Sequence, residues 1–96
     1  MLAATRTGRA ELRRWLAAPV VHLRDLRSEL LLKLVIAERC DIETTSMLQR
    51  QREIVAGLVS VLGERAAGES DVVALWRHET SEAALRFLDH VLATRP

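Results

Sequence analysis

The chain has 96 residues, 49% of them apolar and 28% charged, which places it in the globular class with material for one small domain. Fourteen Lys and Arg against thirteen Asp and Glu leave a net charge of +1, removing any bulk electrostatic case for nucleic acid or an anionic membrane surface. A single cysteine, Cys40, excludes an internal disulfide, and the start of the chain carries no secretory pattern, so a reduced, cytoplasmic protein is expected.

In chain order, the first helix is expected over 7–17. Thr5 or Thr7 would cap it and Pro19 would stop it. Its apolar face is Leu12, Trp15 and Leu16, and the opposite face carries Arg6, Arg9, Arg13 and Arg14. Four cations without stacking or base-reading groups read as a solvated face before they read as a phosphate contact.

The second helix is expected over 25–39, with Asp25 as its cap or first-turn acid. From Leu30 to Ala37 only Lys33 interrupts the aliphatic run, so this helix reads as the central one, with Leu31 and Leu34 in the core. It is too short, and too charged at both ends, for a membrane span of roughly 20 apolar residues.

Asp41 then looks like the N-cap of a third helix over 42–66. Its stripe is Met47/Leu48, Ile54/Val55, Leu58 and Val61/Leu62, with Gln51 in the seam. That is enough for long antiparallel packing but short of a free-standing coiled coil. Gly57 is expected to mark a close helix contact. Gly68 suits a left-handed C-terminal position, with Ser70 or Asp71 capping the next element.

The fourth helix is expected over 71–93, burying Val72/Val73, Trp76, Ala83/Ala84, Phe87/Leu88 and Val91/Leu92. No strand-period alternation and no repeat is found, so the fold class is all-α: a small bundle of about four helices, packed as a two-fold dimer. The candidate interface or core residues are Leu48, Val55, Leu58, Leu62, Trp76, Ala83, Phe87, Leu88 and Val91. The dimer follows because a nearly all-round apolar helix and two long striped helices offer more apolar surface than one such bundle easily hides.

Motifs for catalysis are missing: there is no phosphate loop, no HExxH, no paired metal-binding cysteines and no nucleophile elbow. An enzyme is not expected, nor a cofactor. His78 with Glu82, and His90 beyond, could share a metal-binding edge, but about 18 Å separates the two histidines along a helix, which favours an exposed polar edge. Cys40, beside Asp41, reads as a buried inert thiol before it reads as a redox sensor.

Three stretches, read together, carry a family likeness: Thr5 to Pro19 (TRTGRAELRRWLAAP), the segment RDLRSELLLKLVIAE, and the long Gln/Arg-rich helix that follows. They resemble the C-terminal domain of PadR-like transcriptional regulators, of the virulence-activator-alpha C-terminal type. Thr5, Gly8, Leu12, Trp15-Leu16, Pro19 and Arg27/Glu29/Leu32/Lys33 occupy the family's pattern, and Phe87-Leu88-Asp89 stands where a "WLD"-like element is common. The wing-strand aromatic is replaced by Ala3-Ala4, and the family's winged helix has no counterpart in this chain, so no DNA-reading residue carries over. The resemblance implies a homodimerisation domain that contacts DNA only through a winged helix outside this chain. Some relatives of that family bind small aromatic effectors, for which Trp15 and Trp76 are the candidate contacts and a pocket bounded by Trp76, Ala83 and Ala84 the candidate site, with plain core or interface anchors the preferred reading of the rings. A stand-alone helical adaptor with no DNA connection is the alternative.

Overall fold

The structure is a computed structural model, and it describes residues 6–68 and 71–95. It is all-α, with four helices and no strand among the described residues: α1 (Arg6–Ala17), α2 (Leu31–Arg39), α3 (Thr45–Gly68) and α4 (Val72–Ala93). The chain divides into two compact units, Met1–Met47 and Leu48–Pro96. None of these helices is long and apolar enough to cross a membrane.

In the N-terminal unit, α1 turns its one apolar stripe inward. Leu16 is buried, Leu12 and Trp15 are half-buried, and Arg6, Arg9, Arg13 and Arg14 are exposed, as a solvated face requires. Thr7 lies inside the helix and does not cap it, while Thr5 falls outside the described residues.

The segment expected as one α-helix over 25–39 is helical in three patterns. A 3-10 turn at Leu23–Asp25 leads into a π turn at Leu26–Leu30, and regular α-helix begins only at Leu31. Asp25 makes no capping hydrogen bond there. Within LRSEL only Leu26 and Leu30 are apolar, and two apolar positions are too few for periodicity to distinguish a wide π turn from an α turn.

Inside α2 the polarity is inverted. Lys33, the only lysine of the chain, is 2% exposed, whereas Leu31, Leu32 and Val35 are exposed. The ammonium donates to the Ala18 carbonyl just past α1 at 2.6 Å, lies 5.1 Å from the centroid of the Trp15 ring, and stands 3.9 Å from Glu29 Oε2. A cation at a helix C-terminus, over an aromatic face and near a carboxylate, recovers in three interactions much of what it loses in hydration. Leu31 is therefore not a core residue.

Asp41 ends α2 instead of starting α3. Its φ of 54° puts it in the left-handed region, where the Ile42 amide donates to the Ala37 carbonyl and the Asp41 amide to the Glu38 carbonyl. These are the two bonds of a Schellman motif, with Asp where Gly is usual. The α3 cap falls to Glu43, whose Oε1 accepts from the amides of Thr44 and Thr45 at 2.9 and 2.8 Å. That moves the helix start to Thr45. Cys40, the last residue before the reversal, is exposed and not buried.

In the C-terminal unit α3 and α4 run antiparallel. Arg52 pairs with Asp89 near one end, and Gly63 faces His78 nearer the other. Leu48, Gln51, Val55 and Leu62 are buried, Ile54 and Leu58 half-buried, and Val61 exposed. No buried side-chain nitrogen or oxygen among the described residues lacks a hydrogen-bond partner, so the seam amide of Gln51 is satisfied. The close approach is at Gly63, where an added Cβ would lie 3.1 Å from His78 Nε2. Gly57 faces open space, contrary to expectation. Gly68 is the last residue of α3 and has no positive φ. Asp71 caps α4 by accepting from the Val73 amide at 2.9 Å, while Ser70 lies outside the described residues.

Candidate functional site

A helix whose two opposite faces are both apolar can bury only one of them against its own chain, and α4 is such a helix. At 100° per residue, Ala74, Ser81 and Leu88 fall within about 40° of one another. All three are buried. Val72, Trp76, Ala83 and Phe87 fall within about 60° of one another, roughly on the opposite side. All four are exposed, Trp76 to 69% and Phe87 to 39%.

The expectation that Trp76 and Phe87 are covered therefore does not hold within one chain. The inner face is made of Ala74, Ser81 and Leu88, and the His78 ring packs over Gly63 of α3. Ser81 completes this face without leaving an unpaired hydroxyl, since its Oγ donates to the His78 carbonyl at 2.8 Å. The two large rings lie on the exposed side.

Of the other candidate residues, Leu48, Val55, Leu62 and Leu88 are buried, Leu58 and Val91 are half-buried, and Ala83 is exposed beside Trp76 and Phe87. Trp76 and Phe87 share a side, as a separation of three turns, about 16 Å, requires. Trp15 belongs to the N-terminal unit, where the Lys33 ammonium lies over its ring. An open cleft of about 270 Å³ in the C-terminal unit is lined by Leu62, Arg65, Asp71, Val73, Ala74 and Arg77, without Trp76.

Two polar groupings complete the unit. The Arg52 guanidinium grips both carboxylate oxygens of Asp89, with Nη2 3.4 Å from Oδ2. This hydrogen bonding, and then the carboxylate charge, raises the Arg52 pKa above its ordinary value, so the side chain is cationic at every working pH. His78, Glu79 and Glu82 bring one ligand atom each within 4.8 Å of one another, with His78 Nδ1 3.5 Å from Glu82 Oε1. Among the described residues these three, without His90, could share an ion. The same distance also describes a plain i,i+4 ion pair.

Besides the inward Lys33, sequence reading missed the structural roles of Gly63, Glu43 and Asp41. Gly63 has no local signal that separates it from Gly57. Glu43 as a cap departs from the Ser/Thr/Asp/Asn rule, and Asp41 in a left-handed position hides because Asp is equally at home at an N-cap. No family model matches the chain, and neither does any curated protein or solved structure.

Proposed function

We propose that this chain is a homodimerisation domain, and that its outer α4 face is the surface that meets a second copy. The observation that carries the reading is Trp76, 69% exposed on a face that also presents Val72, Ala83 and Phe87. Covering apolar surface is worth about 25 cal/mol per Å², and contiguous exposed apolar patches rimmed by polar groups mark association surfaces. Exposed aromatic side chains are the usual anchors of such surfaces.

The resemblance to PadR-like regulators supplies the biological setting. A cytoplasmic two-fold regulator needs a rigid element that holds two DNA-reading heads at the spacing of two half-sites. The net charge of +1 and the scattered arginines of α1 suit a part that reads no sequence itself. In this reading Trp76 is an interface anchor, the domain performs no catalysis, and a small aromatic effector would have to be held by surfaces that only the dimer completes.

Sedimentation velocity across about 1–100 µM tests the reading, in the range where an obligate helical interface remains associated. The expected result is twice the 10.8 kDa chain mass throughout. A monomer at the highest concentration, with a melting temperature independent of dilution, would overturn it. A monomer whose outer α4 face is taken up by a different protein would support the adaptor.

A further inference from the structure

The outer face of α4 is ordered as a heptad seam of Val73, Trp76, Thr80, Ala83, Phe87 and His90, spaced alternately by three and four residues. Glu79 and Arg86 are seven residues apart and so lie on the same flank of this seam. Both are exposed. The other flank carries Arg77, Ala84 and Val91.

Pairing direction decides what these charges meet. In a parallel pair each flank meets the opposite flank, so Glu79 would face the partner's Ala84 and Arg86 would face the partner's Val91, with no compensation. In an antiparallel pair each flank meets its own kind. Glu79 then faces the partner's Arg86, and the two-fold axis repeats the pair. The level midway between Glu79 and Arg86 falls beside Ala83, the smallest side chain of the seam, where two helices can come closest.

We infer that the second copy lies antiparallel on α4, with the two-fold axis beside Ala83 and Glu79 of each chain paired with the partner's Arg86. This rests on the dimer reading above and adds its direction and register. Trp76 then lies level with the partner's Asp89, next to the partner's Phe87 and the partner's His90, so the aromatic anchors cover one another on either side of a small-residue centre.

Charge exchange tests the pairing in the full chain, with circular dichroism to verify folding. Glu79→Arg or Arg86→Glu places like charges opposite each other twice and should weaken the dimer about tenfold by sedimentation equilibrium. The double variant Glu79→Arg/Arg86→Glu should return to within about threefold of the wild type, because the exchange preserves both pairs. Cross-linking tests the register separately. In a Cys40→Ser background, Ala83→Cys should form an intermolecular disulfide on mild air oxidation, since the two sulfurs meet near the axis. Val73→Cys should not, whereas a parallel in-register dimer would cross-link at both positions. Failure of the double variant to recover, unaffected single variants, or cross-linking at Val73→Cys would overturn the antiparallel register. If Trp76→Asp still dissociated the wild-type dimer in that case, the dimerisation reading would survive. A wild type that is monomeric throughout removes both.

Discussion

Helices α1 and α4 differ in how many apolar faces they carry, and the difference explains where burial could be foreseen. α1 has one stripe, so Leu16 goes in and the four arginines stay out. α4 has two, and the chain buries the one with smaller residues. Where a helix offers two apolar faces, bulk is a poor guide to the inner one: in α4 the face of Ala74, Ser81 and Leu88 is buried while the bulkier Trp76 and Phe87 stay exposed.

The sharpest way to break this comparison uses two adjacent residues on opposite faces of α4. Leu88 is 0% exposed, so Leu88→Asp, which buries an unpaired charge, should cost more than about 4 kcal/mol and abolish the cooperative helical melt. Phe87→Asp should keep full helicity by circular dichroism and lose only self-association. Similar behaviour of the two variants would erase the distinction between the faces.

Lys33 extends the comparison to α2, where polarity and burial also part company. Lys33→Ala removes the bond to the Ala18 carbonyl and the cover of Trp15, and should cost about 2–3 kcal/mol in urea denaturation. Leu31→Asp, in the same helix but on the exposed side, should cost less than about 1 kcal/mol. A reversed order would put Leu31 in the core after all.

These residues also mark what was legible in the sequence. The all-α class, four helices and the polarity of α1 follow from periodicity and punctuation. The inward Lys33 does not, because periodicity assigns a charged residue to solvent, and only the meeting of α2 with the end of α1 adds a carbonyl and a ring to the local Glu29 carboxylate around one ammonium. The candidate face was legible as residues: Trp76, Ala83 and Phe87 can be picked from the spacing. Their exposure was not, since it depends on which face α3 admits.

Two glycines sharpen the account of α4 on a smaller scale. Gly63→Leu should destabilise the C-terminal unit by roughly 1–3 kcal/mol, because His78 occupies the space its side chain needs. Gly57→Ala, in open space, should stabilise by about 1 kcal/mol through helix propensity alone. Smaller or comparable is the gain from Asp41→Gly, up to about 1 kcal/mol, since glycine takes the left-handed Schellman position without strain. Thermal melts of the three variants check both sign and order.

The most direct test of the central claim reads the outer face of α4 by fluorescence. The chain has two tryptophans, so Trp15→Phe leaves Trp76 as the only indole reporter while keeping an aromatic ring beneath Lys33. The account predicts blue-shifted, quencher-protected Trp76 emission at high concentration that shifts red and becomes quenchable on dilution, in step with dissociation measured by sedimentation. Red, fully quenchable emission at every concentration would show that no second copy covers this face and would contradict the account.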